Sequence, residues 1–141
     1  MKRTAQAHWQ GDLKSGKGNL TTATHTLNNT ASSFHSRFED GQETNPEELL
    51  AAAHAGCFTM ALSGQLGAAG LTATSLDTVC TISLEKGEGG FSITGSHLEL
   101  KAKVPGASQE AFDTAVKNAE TGCPVSKLYK TSITVNAVLE S

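Results

Sequence analysis

Four side chains of this 141-residue chain stand out as having the chemistry of a redox or acid–base site: Cys57, Cys123, Arg37 and His54. The nucleophilic form of a cysteine is the thiolate, and an ordinary thiol titrates near 8.5. Cys57 stands in the middle of an apolar helical stripe, and burial there pushes its titration upward. It lies about eleven residues into that helix, beyond the first turn in which the dipole acts. A fixed cation is therefore required before Cys57 can serve as a nucleophile. The arginines are Arg3 and Arg37, and Arg37 comes shortly before the helix. A guanidinium suits this role better than an ammonium, because its planar fork holds a carboxylate while facing a thiolate. Without such a partner, Cys57 is a small core residue and Arg37 a surface charge.

Cys123 is nearly the reverse case. Gly122-Cys123-Pro124-Val125-Ser126 reads as a helix start with Cys123 at the cap. Backbone N–H groups and the positive dipole end both favour a thiolate there, although Pro124 removes one donor. By physics alone Cys123 is the better nucleophile of the two. Cys80 falls on the inward face of a strand and reads as core. His54 precedes Cys57 by three residues and reads as a general base, half of an H-x-x-C metal pair, or a hydrogen-bonded core residue.

The elements that must position these groups follow from periodicity and punctuation. Asn45 is suited to cap a helix, Pro46 to its first position, and Glu48 to reach back to the cap. The helix is predicted over residues 46–68, with Gly67 and Gly70 as stops. Its stripe is Leu49/Leu50, Ala53, Cys57, Met60/Ala61 and Gly64, and with little charge after the first turn it is expected to be buried on most sides. Before it, residues 4–10 and 19–26 read as strands around a Gly-rich turn, residues 28–33 as a loop, and 34–38 as a short strand. After it come a strand over 72–85, with Leu76, Thr78, Cys80, Ile82 and Leu84 inward, a turn at 86–90, and a return strand with Phe91 and Ile93 inward. A change of parity at Gly95-Ser96-His97 predicts a β-bulge. A second helix over 108–120 is amphipathic through Phe112, Ala115, Val116 and Ala119, and a short third helix follows Cys123. Ile133, Val135, Ala137 and Leu139 alternate in a closing strand. The class is α+β, a single domain over 1–141 with antiparallel strands around a long buried central helix.

Composition narrows the function. A net charge of −3 with scattered basic residues gives no footprint for nucleic acid. No apolar run is expected to reach the roughly 20 residues of a membrane span, and the N-terminus lacks the apolar core of a signal peptide. Three cysteines in this length make neither a disulfide framework nor a zinc-finger spacing. The expected compartment is the cytoplasm, where a thiol pair oxidises only transiently.

Asn45-Pro46-Glu47-Glu48-Leu49 followed by Ala53-His54-Ala55-Gly56-Cys57-Phe58-Thr59-Met60-Ala61-Leu62 closely resembles the first-cysteine signature of the OsmC/Ohr family. Gly122-Cys123-Pro124-Val125-Ser126 resembles its second-cysteine motif. Gly11 to Gly18 and Ser36-Arg37-Phe38-Glu39 resemble the OsmC branch, of osmotically inducible proteins, and Gly56 stands where many members have alanine. The resemblance implies an OsmC-like fold in an intertwined homodimer whose sites use both chains. It implies thiol-dependent reduction of organic hydroperoxides, with Cys57 peroxidatic, Cys123 resolving, and Arg37 and Glu47 holding the first thiolate. It implies a dithiol reductant, of lipoyl type or a small thiol, and no metal or organic cofactor. This order of the cysteines opposes the helix-cap reasoning, and Arg37 is what would reconcile them. Phe38, Phe58, Met60 and Leu128 are expected to form a pocket for alkyl peroxides.

One geometric expectation stands apart from the family. Glu47 and Cys57 are ten residues apart, about 15 Å along a continuous helix, which no glutamate side chain spans. Either the helix breaks between them, or the Glu47 that serves Cys57 belongs to a second chain. The competing readings are a zinc site of His54, Cys57 and Cys123, and a small-molecule binding module with incidental thiols.

Overall fold

The computed structural model describes residues 1–128; the expected closing strand over 133–139 lies outside them. The chain forms two compact units, one of Met1–Ala52 with Thr81–His97, the other of Ala53–Cys80 with the described residues from Leu98 onward.

The first unit holds a three-stranded antiparallel sheet, β1 (Ala5–Gln10), β2 (Lys17–Thr22) and β3 (Thr30–Ser32), with Ala5 opposite Thr22 and Leu20 opposite Thr30. β3 replaces the loop expected there. The turn before β2 is organised by Asp12, whose carboxylate accepts from the backbone N–H of Lys14 and of Ser15, both at 2.9 Å. Gly18 is required next to it, since a Cβ would lie 2.6 Å from the Trp9 ring.

Residues 34–38 are not a strand but a helical turn, α1 (Phe34–Phe38). Ser33 caps it, accepting from the Ser36 N–H at 3.1 Å, while Ser36 Oγ accepts from the Ser33 N–H at 3.0 Å. This is a reciprocal capping box. Five residues cannot separate a period of two from one of 3.6. Phe34 and Phe38 share a face either way, and as i, i+4 neighbours their rings stack with centroids 4.9 Å apart.

α2 (Pro46–Ala68) has the bounds the sequence predicts. Asn45 Oδ1 accepts from the Glu48 N–H at 2.8 Å. The Glu48 carboxylate does not return to the cap; it accepts from Thr44 Oγ1 at 2.8 Å. The helix ends in a Schellman turn, with Gly70 at φ +73 and the Leu71 N–H bonded to the Leu66 carbonyl at 2.9 Å. α2 carries Pro46–Ala52 into the first unit and Ala53–Ala68 into the second.

In the second unit the buried stripe of α2 is His54, Phe58, Leu62 and Leu66, displaced by one residue from the expected stripe. Met60 is 79% exposed, and the helix is not buried on most sides. Contrary to expectation, its 23 residues are long and apolar enough to meet the length and composition of a membrane span. Its apolar face instead packs on α3 (Gln109–Gly122): Phe58, Leu62 and Leu66 form one core with Ala115 and Ala119, flanked by Phe112 and Val116. α3 is capped by Ser108, which accepts from the Ala111 N–H at 3.1 Å. α4 (Pro124–Leu128) follows directly.

β4 (Ser75–Gly87) and β5 (Gly90–Lys103) form a two-stranded hairpin sheet. The even positions Leu76 to Leu84 of β4 are half-buried, as expected. In β5, half-burial alternates only from Ser96 to Ala102. Phe91 and Ile93 are exposed rather than inward; Phe91 stacks on Phe38, centroids 4.7 Å apart.

Candidate active site

The second unit brings together two thiols that are 66 residues apart in sequence. Cys57 on α2 and Cys123 at the α3–α4 junction share a hydrogen bond with their sulfurs 2.7 Å apart. A covalent disulfide is about 2.0 Å, so a small movement joins them. Both are free thiols; Cys57 is half-buried and Cys123 fully buried. Cys123 ends α3, its N–H bonded to the Ala119 carbonyl at 3.0 Å, and starts α4, its carbonyl accepting from the Lys127 N–H at 3.2 Å. The cap position read from the sequence is therefore the observed one.

The two sulfurs differ in charge preference. Burial pushes the Cys57 thiol up, and its hydrogen bond to Cys123 and that neighbour's charge push it further; only the Val125 N–H opposes them. Burial also pushes Cys123 up, but the bond from Cys57, the backbone N–H and hydroxyl of Ser126, and the Val125 N–H outweigh it and hold this thiol below its ordinary value. Cys123 gathers the donors, so Cys57 is the partner that keeps its proton. Within this unit the helix-cap reasoning prevails, and among the described residues nothing acting on Cys57 supplies a positive charge.

The positive charge expected for Cys57 lies in the first unit, paired with its own carboxylate. Arg37 donates to Glu47 through Nη2 at 2.9 Å and through Nε at 3.2 and 3.3 Å. Its side chain is 39% exposed and that of Glu47 only 12%. The Arg37 guanidinium carbon also lies 5.2 Å from the centroid of the Phe38 ring, a cation–π contact. The pair is held in register by Asn45, whose Nδ2 donates to the Ser36 carbonyl at 2.9 Å, and by Ser36 Oγ, which donates to the Thr44 carbonyl at 2.9 Å. These bonds tie α1 to the start of α2, where Arg37 and Glu47 stand. Arg37 thus comes from a helical turn rather than the strand expected.

His54 is 6% exposed, and its Nε2 shares a 2.9 Å hydrogen bond with Ser126 Oγ. Ser126 was missed as a site residue; its spacing of three from Cys123 on a capped helix was the available signal. Among the described residues, no group of three or more His, Cys, Asp or Glu is arranged to hold a metal, so the zinc reading has no ligand set. The expected alkyl pocket also changes: Phe58 belongs to the α2–α3 core, while Met60 and Leu128 are exposed.

The profile of OsmC-like proteins matches residues 39–138. Over 139 residues, 99% of this chain and 97% of the relative, the sequence is 48% identical to the peroxiredoxin OsmC of Escherichia coli K12. The organic hydroperoxide resistance protein of Xanthomonas axonopodis pv. citri is 32% identical over 102 residues, 70% of this chain and 68% of that protein. Among solved structures, the organic hydroperoxide resistance protein OhrB of Bacillus subtilis matches with a TM-score of 0.65 at 25% identity, over 90% of each chain.

Proposed function

The chain belongs to the family of OsmC-like proteins, and from that premise we propose that it is a two-cysteine peroxidase reducing organic hydroperoxides to alcohols. The observation that carries this reading is the 2.7 Å approach of Cys57 and Cys123. Peroxidase and hydroperoxide-resistance relatives support the same chemistry.

The Cys57 thiolate attacks one peroxide oxygen. The O–O bond breaks, the alkoxide leaves as alcohol after taking a proton, and Cys57 becomes a sulfenic acid. Cys123 then displaces the hydroxyl group as water and closes the disulfide. A dithiol, of lipoyl type or a small thiol, reopens it by exchange. The work is that of a reducing compartment such as the cytoplasm.

Cys57 needs a cation to ionise ahead of Cys123, and Arg37 held by Glu47 is the group for it. α2 is continuous from Pro46 to Ala68, which supports the second solution to the Glu47–Cys57 separation: a homodimer in which the Arg37–Glu47 pair of one copy serves Cys57 of the other. Exposed small residues on α2, among them Gly56 and Gly64, leave room for a second helix.

Stopped-flow reaction of the reduced protein with cumene hydroperoxide and with hydrogen peroxide, followed by mass measurement of the disulfide, tests the activity. The expected result is one Cys57–Cys123 disulfide per chain and faster reaction with the organic peroxide. A peroxide-treated protein that keeps both thiols overturns it.

A further inference from the structure

Among the described residues, the peroxidase steps leave one buried titratable group, His54, without a task. His54 lies one helical turn before Cys57 on α2, and Ser126 lies one turn after Cys123 on α4. The four side chains therefore form a line of contacts: Cys57 to Cys123 at 2.7 Å, Cys123 to the Ser126 hydroxyl and N–H, and Ser126 Oγ to His54 Nε2 at 2.9 Å. A serine hydroxyl between a thiol and an imidazole is both donor and acceptor, and it can reverse its polarity without moving a heavy atom.

We propose that Ser126 and His54 form a proton relay for the second thiol, taking the proton from Cys123 as it attacks oxidised Cys57. The inference rests on the two-cysteine reading above and assigns roles within it. While both thiols are reduced, Cys123 donates to the Cys57 sulfur; once Cys57 is oxidised, Cys123 donates to Ser126 Oγ and the hydroxyl donates to His54 Nε2. After transfer the hydroxyl donates to the Cys123 sulfur and accepts from the imidazolium. The new thiolate attacks the sulfur of the Cys57 sulfenic acid, the S–O bond breaks as the S–S bond forms, and hydroxide departs. Hydroxide takes one proton from solvent to leave as water, and the imidazolium returns one to solvent. The step then balances as sulfenic acid plus thiol giving disulfide plus water. Ser126 touches a reacting atom; His54 acts through it and is a positioning residue.

Among the described residues, the titratable groups facing Cys123 are Cys57 directly and His54 through Ser126. On the helices around it, Lys117, Glu120 and Lys127 are solvent-exposed, with Lys117 and Glu120 paired at 3.4 Å. None of these is placed to move the proton of a buried sulfur, so among the described residues the relay is the local source of pH dependence.

Two measurements on Ser126→Ala and His54→Gln test this. The first is the thiolate absorbance of the reduced protein near 240 nm against pH, with the same titration of Cys123→Ser subtracted, which needs no peroxide. Loss of a hydrogen bond to the charged sulfur moves the Cys123 titration upward by about one pH unit in Ser126→Ala, and by a smaller upward step in His54→Gln. The second is the rate of disulfide closure against pH after one equivalent of peroxide. In both variants the rise of that rate shifts to higher pH, and below neutral pH closure slows about tenfold relative to sulfenic acid formation. An unshifted titration, with closure slowed equally at every pH, overturns the relay and leaves His54 a packing residue. If His54→Gln does not fold, the smaller change Ser126→Ala answers the same question. A wild-type protein that forms no disulfide with peroxide sinks the peroxidase reading, while the titration still decides whether Ser126 and His54 set the charge of Cys123.

Discussion

The two units of this chain stabilise their functional groups by opposite means. Around Arg37, order comes from hydrogen bonds. A capping box, an asparagine bridging two segments and a two-armed ion pair hold α1 and the start of α2, while every residue of β1 is exposed. Around Cys57 and Cys123, order comes from an apolar core of Phe58, Leu62, Leu66, Ala115 and Ala119. The sulfurs sit at the edge of that core, where burial raises a thiol unless donors answer it. Cys123 has several, whereas Cys57 has only the Val125 N–H against its burial. The two groups that the proposed peroxidase needs thus lie in different units, the Cys57 sulfur in one and the Arg37 charge in the other.

The sharpest test of that division is to remove each sulfur in turn. Cys57→Ser is expected to abolish peroxide turnover, a loss of at least about a thousandfold in a steady-state assay. Cys123→Ser is expected to complete one round and then accumulate sulfinic acid at Cys57, visible as a mass gain of two oxygens. Turnover by Cys57→Ser equal to wild type would reverse the assignment and return the first role to Cys123.

Next in size is the mode of stabilisation. Leu62 is fully buried, and Leu62→Ala should cost about 2–5 kcal/mol in denaturant unfolding. Breaking the exposed side of the comparison costs far less. Arg37→Ala removes a partly exposed ion pair and should change stability by no more than about 1 kcal/mol. Its effect belongs to chemistry instead: Cys57 oxidation at neutral pH should slow about tenfold or more, and recover as pH rises and the thiol ionises unaided. Equal slowing at all pH values would mean that Arg37 acts on the peroxide rather than on the thiol charge.

The smallest expected effect concerns pH and stability. Cys123 titrates lower in the folded than in the unfolded chain. Its contribution to stability is therefore present above the ordinary thiol value and lost as pH falls through the lowered one. Cys57 has the opposite sign: its raised value contributes below the ordinary thiol pKa and is lost as pH climbs through the raised one. A Cys123→Ser variant should remove the first dependence and keep only the part of the second that burial causes, read as melting temperature against pH between about 7 and 10.

The bounds of α2 and α3, the cap at Cys123 and the inward face of β4 were all legible in the amino-acid sequence, because each depends on neighbours within a turn or two along the chain. So was the membership of the family, through two motifs in order. The helical turn at Phe34–Phe38 was carried by Ser33 and Ser36, yet five residues fit two periods equally well. Only the tertiary structure decided which stripe of α2 is covered, since the alanines of α3 select Phe58, Leu62 and Leu66 over the neighbouring stripe through Cys57 and Met60. It alone set Ser126 between His54 and a sulfur, because a hydrogen bond spanning 72 residues leaves no trace in local spacing. Short-range propensity writes elements into a sequence; which side chains meet depends on how those elements pack, and that is where the charge on each thiol is determined.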